Sequence, residues 1–281
     1  MSKLLKNSMA LAVAGLVFGV TAAKADLLDD IKKKGEIVVA TEARFQPFEY
    51  VEDGKIVGYG PEMMKLVFDK YLPGVKVKQL DLPFQGILPG LSAKKYDVVI
   101  TAVTITKARA EKYTFTTPIA EATTGLLKKT GDDSIKTPAD IAGKPVGSQT
   151  GAAQLQVLKE FNAKLEKEGG KGVSEIKEYV GFDEAYADLA AGRIKAVAQS
   201  GANVAPLVKS KPETFEYMKE TIGPKTYFGW AARKEDDSAS LIALLNKGIL
   251  ELKKAGTMSE LQTKWIGFTY DMPDDIGEPT M

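Results

Sequence analysis

The stretch Tyr96–Arg109, YDVVITAVTITKAR, decides the fold class. Val98, Val99 and Ile100 form an unbroken β-branched run, the pattern of a strand covered on both faces. The run opens into Thr101, Thr104 and Thr106, whose hydroxyls both donate and accept, and it closes on Arg109. A guanidinium is a planar, permanently charged fork suited to gripping a carboxylate through two parallel hydrogen bonds. Open α/β sheets place their ligands just beyond the carboxyl ends of strands, which is where this loop falls. Taken alone, the segment equally fits a surface arginine on an ordinary strand-to-helix connection.

On either side of this stretch, strand and helix signals alternate. Glu36–Thr41 (EIVVAT) reads as a strand. Apolar residues at Met63, Leu66, Val67 and Tyr71 predict a helix over 59–71, with Pro61 tolerated in its first turn. Residues 75–82 read as a strand and 85–95 as a short helix despite Pro89. The β-α-β-α-β order implies a parallel sheet with right-handed crossovers. The order then recurs: strand 144–149, helix 152–167, strand 175–180, helix 183–191, strand 194–199. LSAKKYDVVITA at 91–102 parallels LAAGRIKAVAQS at 189–200 in pattern more than in identity. Chance likeness between two helix–strand units is the competing explanation.

Residues 113–128, with only Pro118 as a breaker, fit an extended crossing between two lobes. Residues 227–233 (YFGWAAR), after the Gly223-Pro224 break, fit the return, and from Ser238 onward the pattern is helical. The predicted architecture is α/β and two-lobed, each lobe a mostly parallel sheet flanked by helices, with two hinge strands between them. Lobe I is expected to be discontinuous, over 26–124 and 229–281, with lobe II inserted at 125–228.

The first 25 residues read as an export signal. Lys3 and Lys6 precede an apolar stretch from Met9 to Val20, and Ala23-Lys24-Ala25 gives a small-x-small cleavage pattern. That stretch is short for a membrane span, and none like it follows. Cleavage after Ala25 is expected, leaving a mature chain that begins at Asp26. The sequence has no cysteine, which excludes disulfides, thiolate catalysis and a lipid-bearing cysteine, and no histidine, which excludes a histidine base or histidine-held zinc. The expected location is therefore the periplasm, without lipidation. The 38 Lys+Arg against 37 Asp+Glu become net −2 once three leader lysines are removed. No basic stripe favours nucleic acid or a membrane surface.

At this point the chain resembles the solute-binding proteins of polar amino-acid ABC transporters, the smaller type II periplasmic binding proteins. The resemblance rests on ordered segments: TEARFQPFEY at 41–50 followed by Gly58-Tyr59, DVVITAVTIT at 97–106 with Arg109, FTTP at 115–118, DIAGKPVG at 140–147 with Gly151, LAAGR at 189–193, and KWIG at 264–267. It implies a monomeric receptor that binds a small zwitterion by lobe closure and docks on an ABC permease, with no cofactor and no metal. It also implies site positions. Phe45 and Phe84 are aromatic walls, Thr101, Ala102 and Thr104 make hydroxyl or backbone contacts, and Arg109 holds the ligand α-carboxylate. Backbone amides at the helix start after Gly151, at Ala153, favour the same anion without a particular side chain.

The sequence departs from the family pattern in two places. Ala152 and Ala153 stand where Ser and Thr are common, so the amides remain and the hydroxyls do not. Ser200 stands where an aspartate usually pairs with the ligand α-ammonium. A buried ammonium without an anion costs several kcal/mol. Either another acid substitutes, with Glu42 the candidate, or the ligand lacks a primary α-ammonium. Opine-type secondary amines and ectoine-like solutes fit the second case, and a plain polar or basic amino acid is the family default. A solvated strand end is the alternative for Glu42, and solvent exposure is expected for Arg44. Trp265 and Trp230 are expected in packing, and Phe48 as a staple of the 41–50 loop. The rival function is a cyclohexadienyl-dehydratase-like enzyme on the same scaffold, with Glu42 or Glu121 as its acid. A receptor that delivers ligand to a membrane sensor is the other alternative.

Overall fold

The structure, a computed structural model, describes residues 26–281, so the leader expected over 1–25 lies outside the described residues. Two sheets organise it. The first runs in the order Lys76–Asp81, Glu36–Thr41, Val98–Thr104, Tyr227–Arg233, Tyr113–Phe115, with Ala120–Glu121 also paired to Tyr227–Arg233. The second runs Glu175–Tyr179, Pro145–Gln149, Ala196–Ser200, Thr124–Lys129, Phe215–Thr221. In each, three parallel strands are followed by an antiparallel one that comes from a crossing segment.

The central strand of each sheet explains its own composition. All seven residues of Val98–Thr104 are buried. Val98, Ile100 and Ala102 pack with Met63 and Val67 of the helix Tyr59–Tyr71, while Val99 and Val103 pack with Ile87 and Leu91 of the helix Phe84–Ser92. A strand with a helix on each face has no polar face, so its sequence does not alternate. Ala196–Ser200 repeats the arrangement: Val197 joins Ala185 and Leu189 on one face, and Ala196 and Ala198 join Leu158 on the other. The likeness of 91–102 to 189–200 therefore corresponds to topologically equivalent helix–strand units.

Chain direction between the sheets changes at two adjacent places. Ala122 donates its amide to Thr226 (2.8 Å) and Ile222 to Thr124 (2.9 Å), so the outgoing and returning segments are hydrogen-bonded side by side. Residues 113–128 differ from the single extended crossing expected. They form three short strands, Tyr113–Phe115, Ala120–Glu121 and Thr124–Lys129, because Pro118 interrupts the ladder and the chain changes sheets after Glu121. The 41–50 loop belongs to a small antiparallel sheet of Arg44–Phe45, Glu49–Glu52 and Lys55–Val57. The helix Gly201–Ser210 and the edge strand Phe215–Thr221 carry no sequence expectation, since Gly201 and the internal Pro206 disguise the helix. No described helix is long and apolar enough to cross a membrane.

Candidate ligand-binding site

Side chains just beyond the carboxyl ends of Glu36–Thr41 and Val98–Thr104 touch the carboxyl end of Pro145–Gln149 and the turn after it in the other lobe. Arg109 lies in the short helix Lys107–Ala110, whose first turn is capped by Thr106 Oγ1 accepting from the Arg109 amide (3.2 Å). Its guanidinium donates through Nη1 to the Thr104 carbonyl (2.8 Å) and through Nη2 to the Gly151 carbonyl of the other lobe (2.9 Å). The Phe84 ring lies 5.5 Å from its central carbon, a cation–π placement. Burial lowers the guanidinium to about 10, which leaves it a cation at neutral pH. Arg109, Phe84, Thr104 and Gly151 thus form one knot. Gly151 has φ +79°, and a Cβ there would come within 3.3 Å of the Gln85 backbone, so the chain turns into its helix hard against the other lobe. That helix starts at Ala153 with no side-chain cap, and Ala153 is buried.

A second knot surrounds Glu42, which is 3 % exposed. Its Oε1 accepts from Gln149 Nε2 of the opposite lobe, and Gln149 also donates to the Val180 carbonyl (3.0 Å). Glu42 Oε2 is buried and makes no hydrogen bond. Burial raises this carboxyl to about 8, and the Gln149 hydrogen bond only partly offsets the effect. Beside it, Phe45 packs against Phe182 of the other lobe (centroids 5.8 Å apart) and against Phe48 and Phe228. Phe48 is fully buried among Phe45, Tyr59 and Phe228, where it fixes the loop as expected.

Thr101 and Ala102 form a third knot with a residue that the sequence reading passed over. Glu49 has no exposed surface, and its Oε2 accepts from Thr101 Oγ1 (2.8 Å) and more weakly from the Ala102 amide (3.4 Å). Its Oε1 has no partner, and burial raises the carboxyl to about 8. A Cβ on Gly60 would collide with that oxygen, so the helix Tyr59–Tyr71 leaves room for it only as glycine. Ser200 is also fully buried. Its hydroxyl meets Asn203 Oδ1 (2.6 Å) and its amide donates to Gln199 Oε1 (2.7 Å), so amides stand around it where the family pattern has an acid. Phe45 and Phe84 pack in separate apolar clusters.

Sequence reasoning did not single out Glu49, Gln149 or Phe182. Gln149 carried one legible signal, a polar residue at the carboxyl end of the strand equivalent to Glu36–Thr41, which ends on Thr41. Arg44 is exposed, Trp230 is fully buried, and the Trp265 indole donates to Glu62 (2.7 Å). Among the described residues, no group of three or more acids is placed to hold a metal ion.

The profile of the bacterial extracellular solute-binding proteins, family 3, matches residues 37–268, nearly the whole described chain. The chain belongs to that family. This solute-binding protein is 31 % identical to the L-cystine-binding protein TcyJ of Escherichia coli (strain K12) over 264 residues, covering 92 % of this chain and 94 % of the relative. Among solved structures, an ancestral arginine-binding protein bound to arginine matches with a TM-score of 0.71 and 36 % identity, over 82 % of this chain and 98 % of that one. The ancestral amino acid-binding protein AncCDT-1, described as a precursor of cyclohexadienyl dehydratase, matches with a TM-score of 0.74 and 28 % identity, over 85 % and 99 %. The architecture is accordingly the two-lobed type II periplasmic binding protein fold.

Proposed function

We propose that this solute-binding protein captures an amino acid or amino-acid-derived zwitterion for an ABC importer and hands it to the membrane permease in the closed form. The observation that carries the reading is the pairing of Arg109 with Gly151 across the lobes. The fork already bridges to the peptide turn that opens the second-lobe helix. A carboxylate entering there gains two charge-assisted donors from one lobe and backbone amides from the other. The ligand's cation goes to Glu42, whose free Oε2 supplies the negative charge lacking at Ser200. Phe45 and Phe84 enclose its apolar part, with Thr101, Ala102, Thr104 and Ala153 completing the wall. The relatives' named ligands, cystine and arginine, have the same carboxylate-and-ammonium chemistry.

In this reading lobe I comprises 26–124 and 229–281, lobe II comprises 125–228, and the paired segments near Ala122 and Thr226 form the hinge. The mature protein starts at Asp26 and works as a free periplasmic monomer without a lipid anchor. It binds without turnover. The dehydratase-related neighbour is itself described as amino acid-binding, and the side-chain partners of Arg109 are the Thr104 and Gly151 carbonyls and the Phe84 ring.

A thermal-shift and calorimetric panel of amino acids, opines and compatible solutes tests the function. One class should raise Tm, and Arg109→Ala should weaken its binding on the order of 100-fold, the loss of two hydrogen bonds to a charged group. A hit that binds Arg109→Ala unchanged refutes the carboxylate site. Consumption of prephenate or arogenate by the purified protein would overturn the reading as a pure receptor.

A further inference from the structure

A cavity of about 630 Å³ lies between the lobes, on the side of Phe45 and Phe182 where the small sheet meets the helices Phe182–Ala190 and Gly201–Ser210. Ala43, next to Glu42, is part of its wall. Three charged side chains line it: Arg44 from lobe I, and Asp183 and Lys211 from lobe II. Among the described residues, neither Arg44 nor Lys211 makes an ion pair or a side-chain hydrogen bond with protein. Two unpaired cations against one anion leave the lining net positive. The Glu42 carboxyl feels both Arg44 and Asp183, so the buried acid with a free oxygen and the cationic lining share one electrostatic neighbourhood.

Ala43 joins Glu42 to this wall, so a ligand arm leaving Glu42 on the Ala43 side would run toward a net positive lining. We infer that this cavity is an acid-arm subsite, and that the ligand is a zwitterion bearing a second carboxylate beyond its cationic centre, held by Arg44 and Lys211. The inference rests on the proposed use of Arg109 and Glu42. The first carboxylate lies at Arg109, the cation at Glu42 and the second carboxylate in the cavity. A secondary ammonium between two carboxylate arms satisfies this order, and it needs no aspartate at Ser200. Apolar surface from Phe45, Phe182 and Leu207 suits the methylenes of the arm.

Isothermal titration of the purified protein at low ionic strength tests the subsite. The probes are L-alanine derivatives with N-carboxyalkyl arms of one to three methylenes, each paired with an isosteric branched alkyl arm. At least one carboxyalkyl probe should bind about threefold to tenfold tighter than its isostere, the range for two exposed ion pairs. That ratio should collapse towards one in the double variant Arg44→Ala/Lys211→Ala. Equal affinities at every arm length, a ratio that survives the double variant, or no binding by any probe overturns the inference. Simple amino acids raising Tm in that last case would leave the proposed function standing. Probe binding unaffected by Arg109→Ala would instead refute the underlying carboxylate site.

Discussion

Glu42 sits at neutral pH mostly protonated, because its carboxyl is held at about 8 by burial. With the ligand's cation on Glu42, as proposed, only the ionised form binds it, so capture would expel a proton and the free site would first have to ionise. Affinity should therefore fall as pH drops below 8, approaching tenfold per unit, and level off above it. Calorimetry in buffers of different ionisation enthalpy should show close to one proton released near pH 6.5, and Glu42→Gln should abolish both the release and the slope. The same elevation affects unliganded stability with a definite sign. Glu42 and Glu49 both lie far above the ordinary 4.5, so the folded chain holds protons that the unfolded chain gives up. Their contribution is complete below about pH 4.5 and is lost as pH rises towards 8. The Tm of the ligand-free protein should decline over that window, and less steeply in Glu49→Gln. At Arg109, lysine keeps the charge but cannot span Thr104 and Gly151 together, so Arg109→Lys should cost binding by at least about tenfold.

The helix Tyr59–Tyr71 and the strand Val98–Thr104 are coupled through Glu49. In an ordinary helix Gly→Ala gains up to about 1 kcal/mol. At Gly60 the added Cβ meets Glu49 Oε1, pushing the carboxyl off Thr101 and Ala102. Gly60→Ala should cost about 1–3 kcal/mol by overpacking. Urea denaturation should also show non-additivity with Glu49→Ala, which removes the clashing oxygen. This coupling marks the limit of what the sequence discloses. Tyr59–Tyr71 and Tyr227–Arg233 are legible to the residue because their apolar spacing and flanking breakers act locally. The alternation of elements was enough to place Arg109 and Gly151 at strand ends. The burial of Glu49, by contrast, depends on a threonine 52 positions away and on a glycine in the next helix, and nothing in PFEY reports either. Phe182 in GFDEAY has the ordinary look of a core aromatic, and only the meeting of the lobes puts it against Phe45. The helix Gly201–Ser210 was hidden by its internal Pro206.

Across the cleft the lobes meet through Arg109 to Gly151, Gln149 to Glu42, Asn203 to the Gln46 carbonyl (3.4 Å) and the Phe45–Phe182 ring pair, and beside the hinge through Thr280 to the Lys225 carbonyl (2.7 Å) and Lys225 to Glu121 (3.5 Å). A receptor that signals occupancy by closing needs closure to be only slightly unfavourable when empty, so that differential ligand affinity decides the population. The ring pair is the apolar part of that balance, and it lies between lobes joined by two short segments. Its removal should shift the balance without disturbing either sheet. Because the sequence has no cysteine, Lys55→Cys on the small sheet and Glu213→Cys beyond the helix Gly201–Ser210, both exposed, give a clean dye pair for single-molecule FRET. Ligand should increase the high-transfer population. Phe182→Ala should deplete that population in the empty protein by roughly three- to tenfold, as expected for losing an aromatic contact worth about 0.5–1.5 kcal/mol. By linkage, ligand affinity should weaken by the same factor wherever the closed form is the minor empty state. If the closed fraction falls while affinity holds, the ligand binds a single lobe and closure follows without contributing. If neither changes, the ring pair plays no part in holding the lobes together.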